Sequence, residues 1–375
     1  MNNTMSKEIF NAIKDSLWSN TVSSKPLTSA VRAELRNQTV EGLTLRTYPD
    51  STLNLVQAAH FTQMLYTQNE AVKLLNDNNI PVVVIKGVAA GTYYLDPSLR
   101  TYGDIDLLIK PENYHYSIQL FNDNGWIQEG EIGDNHTAFH RDGWTLELHQ
   151  KIPGLEKVKE GSFILDYIRS GVEDIKQGCV DESGQSFPML PWKQNGLELI
   201  WHFREHLYNG IGLRHAIDWM MFVNQCLSDT SFPELGPILE QAGLLTLAKT
   251  VAHMCQMYLG LDESITWCKD ASDDLCEELM TFIMNQGNFG VKRQDDKAVK
   301  VLSEYRTPIS FLRGLQKKGL NDWALCQRYK FLRPFAWIYS AVEGLKHLFR
   351  GGFKKMMDDR TETKKRQMMF DKLYG

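Results

Sequence analysis

Between Leu53 and Leu75, apolar side chains recur at three- and four-residue spacing: Leu55, Val56, Ala59, Phe61, Met64, Leu65, Ala71, Leu74 and Leu75. That period predicts an amphipathic helix, and the run before it, from residue 6, also reads mostly as helix. The Asn76-Asp77-Asn78-Asn79 cluster stops it. The period then changes. Ile80-Pro81-Val82-Val83-Val84-Ile85 is continuously apolar and β-branched, as in a short strand buried on both faces. A second strand is predicted over Asp104 to Ile109, closed by Lys110-Pro111, and a helix over residues 112–124 stopped near Gly125. A hairpin follows, Ala138 to Arg141 and Trp144 to His149 around Asp142-Gly143. Asp-Gly between alternating segments is a strong hairpin signal. Past residue 190 the pattern predicts helices over Gly196 to Leu207, Leu213 to Cys226, Leu244 to Leu259 and Ser272 to Met284. Residues 285–310 are polar and read as a linker, residues 311–375 as helix, and no internal repeat is visible.

The fold class this predicts is α/β, or α+β, with a small mixed sheet among helices. The 375 residues exceed the usual length of one domain. A charged fraction of 23% with a net charge of −5 gives no global case for nucleic acid as partner. That sum conceals an asymmetry. Residues 301–375 hold 16 Lys plus Arg against 7 Asp plus Glu, a net +9, so residues 1–300 carry −5 − 9 = −14. In the tail, Phe331 to Phe349 interleaves aromatic and aliphatic residues with Arg333 and Lys346. A basic amphipathic helix of this kind suits peripheral contact with an anionic membrane or with nucleic acid, or packs on the protein with a solvated basic face. None of the six cysteines is paired at C-x-x-C spacing, the N-terminus shows no secretory signal, and the apolar stretch Pro334 to Val342 falls short of a bilayer span. These features predict a reduced, cytoplasmic protein with ordinary buried thiols.

Two carboxylates, Asp104 and Asp106, flank Ile105 at the start of the second strand. Alternation puts both on one face, where they repel each other unless a divalent cation lies between them. Mg²⁺, or Mn²⁺, prefers such oxygen ligands. In Trp144-Thr145-Leu146-Glu147-Leu148-His149, alternation gathers Thr145, Glu147 and His149 on one side. Upstream, Ile85-Lys86-Gly87-Val88-Ala89-Ala90-Gly91 follows the buried strand and opens a helix. Its small residues let backbone N–H groups approach a phosphate, while Lys86 and Arg100 supply positive charge.

Taken together, Lys86-Gly87, then Tyr94, Pro97 and Arg100, then Gly103-Asp104-Ile105-Asp106-Leu107-Leu108 and finally Glu147-Leu148-His149 resemble the uncharacterised nucleotidyltransferase family of the DNA polymerase beta-like superfamily. The turn is Gly87-Val88 where the superfamily usually has Gly-Ser or Gly-Gly. The resemblance spans roughly residues 50 to 260, and the downstream His202, His206, Arg214 and Asp218 are similar to the helical part of the family. Together with the pattern along the chain, it divides the chain into a helical segment over 1–50, a nucleotidyltransferase core over 50–190, a helical domain over 191–290, and a linker with basic helical tail over 291–375. It also implies transfer of a nucleoside monophosphate from an NTP to a hydroxyl-bearing acceptor by a two-metal mechanism. Asp104, Asp106 and Glu147 would be the catalytic and metal-binding set, and Lys86, Gly87 and Arg100 the phosphate contacts. His149, His202, His206 and Arg214 are candidate substrate contacts. A small molecule, a protein side chain and RNA all stay open as acceptors.

Two other functions fit the residues. A transferase core can bind a nucleotide or a partner without turnover. Separately, His202-Phe203-Arg204-Glu205-His206 matches the H-x-x-E-H pattern of inverted zincins, with His202 and His206 sharing a helix face and Glu277 or Glu278 as a third zinc ligand. Arg214 and Asp218, four apart, form either an intrahelical ion pair or, through Arg214, a reach to phosphate. Trp219, Met220, Met221 and Phe222 read as core.

Overall fold

The computed structural model describes residues 3–19, 21–180, 186–293, 330–347 and 353–374, with isolated positions between 312 and 329. The chain divides into two compact units, Met1–Phe289 with Tyr374–Gly375, and Gly290–Leu373.

The first unit is mixed α/β. Its sheet comprises β1 (Val82–Ile85), β2 (Ile105–Ile109), β3 (Ile127–Glu129), β4 (His136–Arg141), β5 (Trp144–His149), β6 (Lys176–Cys179) and β7 (Ser186–Met189), in the order β3-β4-β5-β2-β1-β7-β6. β1 and β2 run antiparallel, β2 and β5 parallel, and β1 and β7 parallel. Every residue of β1 and β2 is buried, as their apolar runs predict. In the β4–β5 turn, Asp142 and Gly143 both have positive φ, 53° and 82°, which a primed hairpin turn requires.

Helices surround this sheet: α1 (Asn3–Trp18), α2 (Ser29–Asn37), α3 (Ser51–Asp77), the short α4 (Gly87–Gly91), α5 (Tyr114–Asp123) and α6 (Gly161–Ser170). The second half of the unit is helical: α7 (Trp192–Asn209), α8 (Leu213–Cys226), α9 (Phe232–Gln241), α10 (Leu245–Leu259) and α11 (Asp273–Gln286). Asp50 caps α3 by accepting from the Thr52 and Leu53 amides. From Phe61 onward α3 buries the predicted face, with contacts to β1, β5 and β7. Its first turns leave Leu55 and Val56 exposed. Trp219, Met220, Met221 and Phe222 are core residues of α8. Four cysteines are buried, Cys226 is half-buried and Cys179 is exposed.

Some elements differ from the sequence expectation. β6 and β7, segments Lys-Gln-Gly-Cys and Ser-Phe-Pro-Met, carry glycine and proline and little β-branching. They become strands because β7 pairs with β1, not through propensity. α6 and α9 were not expected either: α9 contains Pro233 at its first turn and Pro237 inside, and α6 starts on glycine, residues that disfavour helix. Of the expected linker, residues up to Gln286 belong to α11, Asn288–Arg293 form a 3₁₀ turn, and 294–310 lie outside the described residues.

Within the second unit, a turn at Lys330–Phe335 leads into α12 (Ala336–His347), and α13 (Phe353–Tyr374) follows, all but its last residue in this unit. Phe331, Phe335, Trp337, Ile338 and Val342 are exposed there. Among the described residues, no helix is long and apolar enough to cross a membrane.

The connection between β1 and β2 is locked to α8 by a buried ion pair. Arg100 Nε donates to Asp218 Oδ1 at 2.8 Å and Nη2 to Oδ2 at 2.7 Å, and the Tyr94 hydroxyl donates to Oδ1 at 2.6 Å. Asp218 is therefore spoken for by the sheet side of the unit, while Arg214 Nη1 donates to the Thr101 carbonyl at 3.1 Å. Arg100→Met should leave an uncompensated buried carboxylate and cost about 3–5 kcal/mol in urea unfolding. A loss below about 1 kcal/mol would show that water solvates Asp218.

Candidate active site

β1, β2 and β5 lie side by side, so their ends converge on one cavity. Register pairs Ile85 with Asp106 across the antiparallel pair and Asp106 with Glu147 across the parallel one. Asp104, expected as the first strand residue, sits immediately before β2 and is exposed, whereas Asp106 is buried and Glu147 half-buried. One carboxylate oxygen from each of the three lies within 4.8 Å of the others. Lys86, Gly87, Arg100 and Arg214 line the same cavity.

Asp106 is held by two cationic or polar partners. Lys86 Nζ donates to its Oδ1 at 2.7 Å, and His149 Nε2 lies 2.8 Å from the same oxygen. His149 Nε2 also lies 3.2 Å from Glu147 Oε2, and His136 Nε2 is 3.6 Å from Glu147 Oε1. Burial alone would raise the Asp106 pKa, but the Lys86 charge and the His149 hydrogen bond hold it well below the usual carboxylate range. Burial and the Lys86 charge push His149 down, yet its hydrogen bonds to Asp106 and Glu147 leave it above its ordinary value. Asp104 is pushed up to about 6, first by the Asp106 carboxylate and then by partial burial, against the pull of Lys86. The Asp106 charge thus outweighs the pull of Lys86 at Asp104.

Lys86 reaches Asp106 from an uncommon backbone conformation, φ 52° and ψ −126°, between β1 and α4. A non-glycine residue there costs on the order of 1–3 kcal/mol. Val88, at the position where the superfamily often has a hydroxyl, is buried. A Cβ at Gly87 would meet the Asp104 carbonyl oxygen at 3.6 Å.

The opposite wall of the cavity belongs to α7. Glu198, His202 and His206, at i, i+4 and i+8, share a face that reaches it, together with Glu205. Glu198 was not among the residues singled out from sequence. It is fully buried, neither carboxylate oxygen has a hydrogen-bond partner, and burial pushes its pKa up to about 7. Its four-residue spacing from His202 is the signal that could have found it. His215, on α8, was likewise missed. Among the described residues it is His215, not Glu277 or Glu278, that joins His202 and His206 as a potential ligand group. α8 turns back on α7 directly after Asn209, whereas Glu277 and Glu278 belong to α11, which packs on α10.

Residues 51–260, more than half of the chain, match the family described as uncharacterised nucleotidyltransferase, and the chain belongs to that family. Two solved structures are distantly similar. The antibiotic-resistance factor ANT(2'')-Ia is 13% identical with a TM-score of 0.32, covering 54% of this chain and 96% of its own. An antigenic nucleotidyltransferase-like protein from Paracoccidioides brasiliensis is 17% identical with a TM-score of 0.37, covering 56% and 93%. No curated protein matches the chain.

The raised pKa of Asp104 has a consequence for stability. Its folded value of about 6 exceeds the unfolded value of about 3.9, so its contribution is fully present below pH ~4 and lost as pH rises through 6. Asp104→Asn should stabilise the chelator-treated protein at pH 7.5 but not at pH 4. Because the side chain opens to solvent, the gain should stay under about 1 kcal/mol. Melting curves at the two pH values check this, and an equal effect at both would remove the electrostatic cause.

Proposed function

We propose that this chain transfers a nucleoside monophosphate from an NTP to a hydroxyl-bearing acceptor, dependent on Mg²⁺ or Mn²⁺. The observation that carries the proposal is the convergence of Asp104, Asp106 and Glu147 on one cavity wall, with ligand oxygens within 4.8 Å. An all-oxygen donor set of this charge fits a hard divalent cation. Bound there, one or two such ions would neutralise charge on the attacking and leaving oxygens.

The protein's own groups have separate tasks in this reading. Asp106 stays ionised at any physiological pH because Lys86 and His149 face it. Both contacts fall on Oδ1, so Oδ2 takes part in neither. Lys86, with further N–H donors beyond the one given to Asp106, and the Gly87 backbone meet the donor phosphates. Arg214 adds a cation on the helical wall. We assign Arg100 to holding the segment before β2, since both donors that face Asp218 are already used. His149 orients the two carboxylates it bridges. His202 and His206 stand on the wall that an acceptor would contact.

Metal-dependent thermal stabilisation by one NTP among several would identify the donor. Asp106→Asn should lower transfer by at least ~10³-fold, the loss of several kcal/mol of charge stabilisation. Wild-type rates in that variant would sink the assignment. NTP binding without transfer across a broad acceptor screen would favour a binding module.

For the basic tail we propose peripheral contact with an anionic surface. It is supported by the net +9 of residues 301–375 and by the exposed Phe331, Phe335, Trp337 and Ile338. The full chain should float with vesicles containing phosphatidylserine and stay behind with neutral ones. Nucleic-acid binding without flotation would reassign the tail.

A further inference from the structure

Three imidazoles meet where α7 turns into α8. His202 and His206 sit one turn apart on α7, and His215 lies two residues into α8. Their ring centroids are 4.5 Å (His202 to His206), 5.1 Å (His202 to His215) and 4.1 Å (His206 to His215) apart. One ring nitrogen from each lies within 4.8 Å of the others. The short turn between the helices orients two of the rings. His206 Nδ1 lies 3.3 Å from the Gly210 carbonyl and His215 Nδ1 3.3 Å from the Gly212 carbonyl. Gly210 adopts φ 102°, a conformation that favours glycine and sets this turn.

A carbonyl can only accept, so each of these Nδ1 atoms carries the proton and each Nε2 presents a lone pair. His215 is 2% exposed, and its Nε2 has no hydrogen-bond partner. Simple helix packing gives no reason for that atom, since an orphaned buried polar group costs about 1–3 kcal/mol. A metal ion does. Metal-binding histidines characteristically donate their other N–H to a carboxylate or backbone carbonyl.

We propose that His202, His206 and His215 form a binding site for a divalent transition-metal ion of the zinc class. Neutral imidazole suits zinc, whereas the hard cation expected at Asp104, Asp106 and Glu147 prefers oxygen. At Zn–N distances of about 2.0–2.1 Å, tetrahedral ligand nitrogens sit roughly 3.4 Å apart, so modest ring rotation closes the site. His202 and His206 line the cavity while His215 backs them from the core. The fourth coordination position therefore faces the cavity. Arg214 nearby works against a cation, and an anionic fourth ligand, a hydroxide or a phosphate oxygen, offsets it. The site stands on the histidines alone and is independent of the nucleotidyl-transfer reading.

The test uses the full chain, stripped with chelator, with Zn²⁺ affinity measured by competition against a chromophoric chelator and geometry read from Co²⁺ visible absorption. The expected result is one zinc per chain, with His202→Ala and His215→Ala each weakening it by at least ~100-fold and abolishing the Co²⁺ bands. Asp106→Asn and Glu147→Gln should leave zinc affinity unchanged. His202 faces the cavity, so its variant should keep the wild-type circular dichroism even if His215→Ala does not. No stoichiometric zinc in the wild type, or zinc binding indifferent to His202→Ala, would overturn the site.

Discussion

A buried carboxylate needs partners, and Asp106 organises the sheet side of this protein around that need. An unpaired ionised group in the interior is too costly to persist. β1 must deliver Lys86, β5 must deliver His149, and both must arrive at the same oxygen. The antiparallel register of β1 on β2 and the parallel register of β5 on β2 achieve this. The backbone of Lys86 is held at positive φ in the process. A glycine would adopt that conformation without strain, but it would bring no ammonium to Asp106. Strain and charge neutralisation are thus joined in one residue, at the point where strand gives way to helix.

The second buried pair, Arg100 with Asp218, ties this arrangement to the helices. Arg100 lies just before the Asp-x-Asp segment, so α8 fixes where Asp104 and Asp106 begin. The same helix carries Arg214 and His215, and the helix before it carries Glu198, His202 and His206. The cavity therefore has an acidic wall from the sheet and a wall of neutral imidazoles and one buried glutamic acid from the helices. Their environments differ in kind. Asp106 is driven strongly acidic by its partners, whereas burial pushes the pKa of Glu198, which has no hydrogen-bond partner, up to about 7.

Legibility in the sequence followed local rules. β1 and β2 were visible as apolar runs, the β4–β5 hairpin through Asp142-Gly143, and α8 from Leu213 to Cys226 at its observed limits. β6 and β7 were not, because pairing rather than composition makes them strands. Asp106 and Glu147 were legible because strand alternation and a known motif agree on them, and Asp104, just outside β2, through the motif alone. Arg100 was visible as a residue, but its burial on Asp218 was not, since the two are 118 positions apart. The pairing of Arg214 with Asp218, plausible from helical spacing, does not take up Asp218, whose carboxylate binds Arg100 and Tyr94.

By itself, then, the sequence determined the acidic strand motif, the lysine–glycine turn, the hairpin and most helices, since each depends on residues within a few positions of one another. Tertiary structure alone decided which charges are neutralised. It placed Lys86 on Asp106, Arg100 on Asp218 and His215 beside His202 and His206. Those outcomes depend on which elements pack together, and burial then sets the cost of leaving any of these groups without a partner.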